Sequence, residues 1–322
     1  MLSNIRKPIE NEMALYESYF KRQFTSDIKL MDEALRYVGD GVGKMMRPML
    51  VMLLAKCAGC VNERTYAAAA AMEMLHTASL LHDDVIDESD KRRGRHSLNV
   101  VFNNNVAVLA GDYLFSLALG NAADTNDHRV VTEFSQLGKA LSSGEVLQLE
   151  LRRSGEYNES NYLKVVYCKT ASLFVCCAAC AAYTAGASDD TVERFKKFGE
   201  YVGICFQIKD DIFDYFSGDV GKPTGSDMRE GKVTIPAIYV LRESSNPLLE
   251  PIRAKLAAAE ALTEDEIRTL IAAAVDEGGI DYANEMIERY RAQAIDVLPD
   301  GIPQELHDAL VAYIDYTIKR NR

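Results

Sequence analysis

The stretch AAAAAMEMLHTASLLHDDVIDESDKRRG, residues 67–94, is an apolar helix-forming segment that runs directly into five acidic residues and then three basic ones. Similar segments rich in alanine and leucine recur along the chain, and no convincing alternation of apolar and polar residues predicts a strand. Helices that are apolar over wide faces are buried on several sides, so we expect them to surround a common centre. The sequence therefore predicts an all-α fold with a single domain over residues 1–322.

The acidic residues Asp83, Asp84 and Asp87 form a row at the end of this segment. Residues four apart lie one turn above each other on a helix, so Asp83 and Asp87 point the same way, with Asp84 beside them. Such a row repels itself by about a few tenths of a kcal/mol per pair unless a cation neutralises it. Taken alone, the row could also be a solvated acidic face.

A second row with the same spacing, Asp210, Asp211 and Asp214, ends the apolar segment FGEYVGICFQIKDDIFDYF. Two such rows on two helices of buried type are hard to explain as surface. If the helices face each other across a cavity, the six carboxylates form a site for hard cations. Mg²⁺ typically takes one or two carboxylates together with water and phosphate oxygens, and the sequence lacks the loop spacing of a calcium EF-hand. We therefore predict that both rows bind Mg²⁺, which in turn binds a diphosphate.

Basic residues near the first row are suited to the remaining phosphate oxygens. Arg92 and Arg93 follow the row directly, and guanidinium groups match phosphate geometry. Lys44 and Arg47 precede it in GVGKMMRP. Lys169 lies between apolar segments and needs an anionic partner if it is buried.

Two further features fit the same site. His76 lies two turns before Asp83 on nearly the same helix face, which makes a phosphate contact credible, although a hydrogen-bonded core histidine is the alternative. The polar segment 217–236 contains four glycines and two prolines and carries Lys222 and Lys232. We predict that this segment is a long loop that closes over the site, with a plain surface connection as the alternative.

Composition limits the partners and the compartment. The formal net charge of -12 makes general nucleic-acid binding unfavourable, because such binding depends on phosphate contacts. Seven cysteines without regular spacing indicate reduced thiols and a cytosolic protein. The start of the chain lacks the apolar core of a signal peptide, and the longest apolar run, residues 173–188, is shorter than the roughly 20 residues of a membrane span.

Six motifs resemble, in order and approximate spacing, those of the trans-polyprenyl diphosphate synthases. They are GVGKMMRP, EMLHTASLLHDDVIDESDKRRG, GEVLQLE, KTASLF, FQIKDDIFDYF and GKPTGSDMREGKVTIP. The segment TASLLHDDVIDES is most similar to long-chain members of the octaprenyl, heptaprenyl and solanesyl type, which make precursors of quinone side chains. One departure is Val42, where the family often has glycine; it does not affect the charged positions.

The resemblance implies an isoprenoid synthase fold, with roughly ten or more helices around a deep central cavity, and usually a homodimer. It implies a prenyltransferase that condenses isopentenyl diphosphate head-to-tail with an allylic diphosphate, using about three Mg²⁺ per active site when substrate is bound. A cytoplasmic enzyme with a long product would make peripheral contact with a bilayer when it releases that product, although no amphipathic anchor is evident.

The resemblance also implies a role for each motif residue. All six aspartates of the two rows would serve the metal, with Asp83, Asp87 and Asp210 binding it directly. Glu145 and Gln148 of GEVLQLE would face the cavity. The residues implied at the allylic substrate are Arg92, Lys169, Thr170, Gln207 and Lys232, and those at isopentenyl diphosphate are Lys44, Arg47, His76 and Arg93. Those we predict to be catalytic are Asp83, Asp87, Lys169, Asp210 and Lys232.

Product length should depend on the helix before the first row. Helical geometry places four residues within an arc of about 100° below Asp83: Ala71, Leu75, Ala78 and Ser79. Short-chain members of the family typically carry bulky aromatic residues four or five positions before the first aspartate, where this chain has Ser79 and Ala78. We therefore expect an open tunnel and a product of about seven to ten isoprene units. Close helix packing is the alternative explanation for these small residues.

Other functions remain open at this point. They are a short-chain farnesyl or geranylgeranyl diphosphate synthase, a class I terpene cyclase, a regulatory subunit of a heteromeric synthase, and a metal-dependent phosphohydrolase. The second row argues against a cyclase, because cyclases commonly carry an Asn/Ser/Glu metal motif there. Two intact rows argue against a regulatory subunit, and five histidines are few for a phosphohydrolase.

Overall fold

The computed structural model describes residues 2–41, 43–216 and 224–320, and it confirms the all-α class with seventeen α-helices. The chain divides into two compact units. Unit 1 comprises Met1–Gln136, Cys176–Lys196 and Pro299–Tyr313, and unit 2 comprises Leu137–Val175, Lys197–Leu298 and Ile314–Arg322. The single domain over residues 1–322 stays a prediction.

Seven helices and one hairpin lie wholly within unit 1. The helices are α1 (Leu2–Arg6), α2 (Glu10–Lys21), α3 (Lys29–Gly39), α4 (Met46–Ala58), α5 (Glu63–Ile86), α6 (Leu98–Val101) and α7 (Asn104–Asp124). A 3₁₀ turn, Lys7–Ile9, separates α1 from α2, and the hairpin strands are β1 (Lys91–Arg92) and β2 (Arg95–His96).

In the part of the chain that the structure describes, four helices contribute residues to both units, and six lie wholly within unit 2. The shared helices are α8 (His128–Ser154), α10 (Ser172–Ala185), α11 (Asp189–Phe213) and α17 (Gln304–Lys319). The helices of unit 2 are α9 (Glu159–Val166), α12 (Ser226–Arg229), α13 (Ile235–Glu243), α14 (Glu250–Ala257), α15 (Glu264–Asp276) and α16 (Gly279–Asp296). A π-helical turn, Tyr167–Ala171, joins α9 to α10, and a 3₁₀ turn, Pro247–Leu249, precedes α14.

The core of unit 1 forms around α4 and α5. All eight residues from Pro48 to Ala55 of α4 are buried, as are nine consecutive residues of α5, Ala67–Leu75. Because five of these α5 residues are alanine, neighbouring helices such as α7 pack closely against it. A capping box formed by Asn62 and Thr65 fixes the start of α5, so the acidic end of this long helix has a defined position.

The hairpin corrects the expectation that the chain has no strands. Lys91 pairs with His96 and Arg92 with Arg95. The two turn residues, Arg93 and Gly94, have φ angles of 51° and 76°, and a two-residue turn with positive φ at both positions suits the twist of a hairpin. Strands of two residues are too short to give a sequence pattern, so only the glycine signalled this turn.

Unit 2 confirms one sequence feature and corrects another. Thr263 and Glu266 form a capping box at the start of α15, which the three-residue spacing of threonine and glutamate in LTEDEIRTLI predicts. The prediction that residues 217–236 are all loop is wrong at two places, because residues 226–229 form α12 and α13 begins at Ile235. Residues 217–223 of that segment, including Lys222, lie outside the described residues, as does Val42.

Two helical stretches, Asn104–Asp124 and Glu159–Ala185, are long and apolar enough to cross a membrane by length and composition alone. The second contains the apolar run noted in the sequence and extends it through α9 and the π turn. Most of its apolar part is buried in the protein, as is usual for a core helix.

A close approach within unit 2 yields a stability prediction. A Cβ at Gly203 of α11 would lie 2.5 Å from the Cα of Ala171, the last residue of the π turn. We expect Gly203→Ala to lower the free energy of unfolding by about 1–3 kcal/mol, because backbone atoms cannot yield as a flexible side chain can. Urea denaturation followed by circular dichroism measures this change, and an unchanged midpoint would contradict the close packing.

Candidate functional site

Both acid rows lie at the C-terminal ends of their helices. α5 ends at Ile86 and α11 at Phe213, so Asp87 and Asp214 lie just beyond the last helical residue. The C-terminal end of a helix carries negative partial charge, which makes an acidic side chain there unfavourable by about 0.3–1 kcal/mol. Helix stability therefore does not account for either row, and a bound cation would offset the unfavourable negative charge.

In the first row, Asp83 is partly exposed, Asp87 is exposed and Asp84 is buried. The Asp87 N–H donates to the Asp83 carbonyl oxygen at 2.8 Å, which keeps these two residues one helical turn apart. Asp84 accepts instead from Arg92 of β1, whose Nε and Nη2 lie 2.8 Å and 2.7 Å from Oδ1. The hairpin thus places Arg92 against the row, as the sequence order suggested.

The other oxygen of Asp84, Oδ2, is buried and has no hydrogen-bond partner among the described residues. Burial raises the pKa of Asp84, and Arg92 opposes this shift. Buried polar atoms normally have a partner, so an unsatisfied carboxylate oxygen next to two accessible carboxylates fits a bound cation.

A basic cluster lies close to the first row in unit 1. Burial, followed by the positive charges of Arg47, Arg93 and Arg92, lowers the pKa of His76 well below its usual value. His76 is therefore neutral at pH 7 and can donate or accept a hydrogen bond. Glu73, one turn earlier on α5, is 3% exposed; burial raises the pKa of Glu73, while Arg47 and Arg93 lower it. Sequence reasoning missed Glu73, although its spacing of three residues from His76 placed it on the same face.

The hairpin turn also contacts the loop before α4. Arg93 Nη1 donates to the Gly41 carbonyl oxygen at 3.3 Å. A Cβ at Gly43 would lie 2.5 Å from the same nitrogen, so a larger residue there would displace the Arg93 guanidinium. Lys44 follows on this loop with an exposed side chain. The structure thus gathers Arg47, His76 and Arg93 into one region of unit 1 and connects Arg93 to the loop that carries Lys44.

In the second row, Asp210 is partly exposed and forms an ion pair with Arg320, near the end of the chain. Arg320 Nη2 also donates to the Phe206 carbonyl oxygen at 3.3 Å, and its guanidinium lies 3.8 Å from the centroid of the Phe206 ring. The Asp210–Arg320 pair joins residues 110 positions apart in the sequence, and nothing in the sequence pattern signalled it.

Asp211 and Asp214 are buried and are held by the protein. Asp211 accepts from the Tyr162 hydroxyl at 2.6 Å and from Gln207 Nε2 at 2.8 Å, and burial raises the pKa of Asp211 to about 8. Asp214 accepts from the Ser226 hydroxyl at 2.8 Å and from the backbone N–H of Ser226 and of Asp227. Each row therefore has at least one solvent-accessible carboxylate and at least one buried carboxylate that is fixed by hydrogen bonds.

The π turn positions Lys169 and Thr170. Such turns are rare and occur frequently at functional sites. Lys169 Nζ lies 2.7 Å from Glu145 Oε1 and donates to Gln148 Oε1 at 2.9 Å, so Glu145 is the anionic partner that the sequence required. The Thr170 hydroxyl donates to Gln207 Oε1 at 2.5 Å. The π turn was not foreseen, because its apolar pattern does not differ from that of an α-helix.

A cavity of about 160 Å³ in unit 2 brings several predicted residues together. Its lining includes Lys169, Thr170, Gln207, Asp211 and Lys232. The Lys232 ammonium lies 2.5 Å from Glu230 Oε2. Four residues predicted at the allylic substrate therefore line one cavity, and the fifth, Arg92, lies in unit 1.

The predicted product-length residues lie along α5. Ala71, Leu75 and Ala78 are each at most 3% exposed, whereas Ser79 is partly exposed. The Ser79 hydroxyl donates to the His76 carbonyl oxygen at 2.9 Å, so it bonds within its own helix. Their role in product length stays a prediction.

The carboxylates of the two rows suit a divalent cation that completes its coordination with other ligands. Among residues 2–41, 43–216 and 224–320, no three side chains of His, Cys, Asp or Glu converge closely enough to hold a metal ion by themselves. Mg²⁺ commonly binds through one or two carboxylates and completes its coordination with water and substrate phosphates. The accessible carboxylates Asp83, Asp87 and Asp210 fit that mode of binding.

The chain is similar to known proteins over nearly its full length. The family model described as polyprenyl synthetase matches residues 28–273. Octaprenyl diphosphate synthase of Escherichia coli strain K12 is 32% identical, over all of this chain and 99% of that protein. A crystal structure of a geranylgeranyl pyrophosphate synthase from Bacteroides thetaiotaomicron has a TM-score of 0.84 and 41% identity and covers 99% of both chains.

One further solved structure similar to this chain contains a divalent metal ion. A crystal structure of a polyprenyl synthase from Caulobacter crescentus has a TM-score of 0.89 and 27% identity, covering all of this chain and 98% of that one. That protein was crystallised in complex with calcium and isoprenyl diphosphate.

Proposed function

Because the chain belongs to the polyprenyl synthetase family, we propose that it makes a long-chain trans-polyprenyl diphosphate that supplies quinone side chains. The chain is an enzyme, a prenyltransferase with the isoprenoid synthase fold. Its substrates are isopentenyl diphosphate and an allylic diphosphate. The observation that supports this most strongly is that both acid rows lie at helix C-terminal ends, where negative charge is unfavourable. Each row has an accessible carboxylate.

The enzyme uses a divalent metal, and we propose that this metal is Mg²⁺, with about three ions when substrate is bound. Asp83, Asp87 and Asp210 would hold the ions. Asp84, Asp211 and Asp214 would support them from the buried side of each row. Bound Mg²⁺ would neutralise the charge that grows on the departing pyrophosphate.

The basic residues would bind the two diphosphates. Lys169, Thr170, Gln207 and Lys232 line one cavity, and with Arg92 they would hold the allylic diphosphate as its carbon–oxygen bond breaks. Lys44, Arg47, His76 and Arg93 would hold isopentenyl diphosphate, whose double bond then attacks the allylic cation. No side-chain base is assigned to the proton that is lost, and the released pyrophosphate would accept it.

Relatives of this chain are named for products of different length. The E. coli relative is named for an octaprenyl product, whereas the Bacteroides structure is named for a geranylgeranyl product. Ala78 and Ser79 favour the longer product in this chain, because a small residue does not close a tunnel. Purified protein incubated with isopentenyl diphosphate, an allylic primer and Mg²⁺ should give a product of about seven to ten isoprene units by mass spectrometry.

The same assay separates the alternatives. A product of three or four units would identify a short-chain synthase. A terpene cyclase would consume the allylic substrate without consuming isopentenyl diphosphate, and a phosphohydrolase would release phosphate without chain growth. Any of these three results would overturn the proposed function.

We propose that the enzyme acts in the cytoplasm as a homodimer of single-domain chains. An exposed apolar surface on α7 favours association with a second copy of this chain. The residues of this surface are Val108, Leu109, Phe115 and Leu119. All seven cysteines are free thiols, which suits a reducing compartment. Release of a long apolar product would bring the enzyme into peripheral contact with a bilayer.

A further inference from the structure

We propose that Tyr162 of α9 is a positioning residue of the second acid row, which holds Asp211 in the orientation needed for binding of divalent metal and diphosphate. This inference rests on the proposed function, because it assigns metal binding to that row. Tyr162 belongs to none of the sequence motifs that indicated the site.

Both carboxylate oxygens of Asp211 accept a hydrogen bond from a side chain. The Tyr162 hydroxyl donates to Oδ2 at 2.6 Å, and Gln207 Nε2 donates to Oδ1 at 2.8 Å. Asp211 is 5% exposed and Tyr162 is 8% exposed, so water does not readily replace the Tyr162 hydroxyl as a donor. Two donors on opposite oxygens fix the rotation of the carboxylate, which a single donor would leave free.

The hydrogen bonds continue to the π turn. Gln207 Oε1 accepts from the Thr170 hydroxyl at 2.5 Å, so Thr170, Gln207, Asp211 and Tyr162 form one chain of hydrogen bonds. Every member also lines the cavity of about 160 Å³ that contains Lys169 and Lys232. Because Thr170 and Gln207 are proposed to contact the allylic diphosphate, the position of Asp211 is linked to that of the diphosphate through this chain.

A purely structural role is the competing explanation. A buried carboxylate needs donors, and Tyr162 could serve only to satisfy Asp211 in the folded protein. The two explanations differ in what Tyr162→Phe changes. A structural role predicts a lower unfolding midpoint and unchanged ligand binding, whereas a positioning role predicts weaker binding of metal and diphosphate in the folded protein.

The same cavity offers a matched control. Tyr157 lines it as well, but its hydroxyl donates to the Gly231 carbonyl oxygen at 3.2 Å and not to an acid of the row. Tyr157→Phe therefore removes one tyrosine hydroxyl from the same cavity and leaves Asp211 and both of its donors in place.

The test measures binding of Mn²⁺ together with inorganic pyrophosphate by calorimetry, with no turnover. We expect Tyr162→Phe to weaken this binding about tenfold, which is the upper end of the typical effect of losing one hydrogen bond, and Tyr157→Phe to leave it unchanged. Steady-state kinetics should show a higher KM for the allylic substrate and an unchanged KM for isopentenyl diphosphate. Circular dichroism confirms that each variant is folded.

A double-variant cycle completes the test. In an Asp211→Asn protein the carboxylate is gone, so adding Tyr162→Phe should change Mn²⁺ and pyrophosphate binding by less than twofold. Wild-type binding in Tyr162→Phe, an equal loss in Tyr157→Phe, or additive losses in the double variant would each overturn the inference. Because binding is measured without product, these outcomes remain distinct from a failure of the proposed prenyltransferase reaction.

Discussion

Asp83→Asn should lower turnover of isopentenyl diphosphate by roughly a thousandfold, the scale seen when a main group that stabilises transition-state charge is removed. Asparagine keeps the size of the side chain but removes the negative charge that would hold Mg²⁺. Asp210→Asn should have an effect of similar size. Radiolabelled isopentenyl diphosphate incorporation measures both, and circular dichroism should show an intact fold, since neither side chain is buried.

Glu88 provides the control for this prediction. It is exposed, lies one residue after Asp87 and is not part of the row. Glu88→Gln removes one negative charge from the same segment, so near-normal turnover there would separate metal binding from a general loss of charge. Turnover close to normal in Asp83→Asn would contradict the assignment of the row.

A second large effect concerns product length. Ala78→Phe should shorten the main product to about three or four isoprene units, because the new ring would block the proposed tunnel one turn below Asp83. Ala78 is 1% exposed, so the ring must also displace neighbours, and we expect a loss of about 1–3 kcal/mol in the free energy of unfolding. Mass spectrometry of the extracted products gives the length.

Two companion variants make this prediction sharper. Ser79→Phe acts at a partly exposed position, so it should shorten the product with less loss of stability. Ala71→Phe lies seven residues earlier on the same face, about 10 Å further along the helix. Its product should therefore be roughly two isoprene units longer than that of Ala78→Phe. Folded variants that all give the wild-type length would show that these small residues serve only helix packing.

The local features of this protein follow from its sequence where they depend on neighbours along the chain. The apolar helices, the two acid rows and the capping box at Thr263 all have spacings of three or four residues, which helical geometry converts into shared faces. The family resemblance then assigned roles to the motif residues. It could not show that Asp84 and Asp211 would be buried while Asp83 and Asp210 remain accessible.

The remaining features depend on contacts between distant parts of the chain. Arg320 pairs with Asp210, and Tyr162 donates to Asp211 across 49 positions. Neither arginine nor tyrosine stands out in its own segment, so no local pattern could have selected it. The π turn at Tyr167–Ala171 also depends on tertiary context, because α11 packs against it at Gly203.

The acidic residues at the C-terminal ends of α5 and α11 imply a conflict between resistance to thermal unfolding and catalytic activity. Because the partly exposed Asp83 carboxylate opposes the helix dipole, Asp83→Asn should raise the melting temperature even as it lowers turnover by roughly a thousandfold. A thermostability screen that ranks variants by melting temperature alone would therefore favour nearly inactive enzymes at this position. Engineering of this synthase for heat resistance should hold both rows fixed and seek gains elsewhere in the chain.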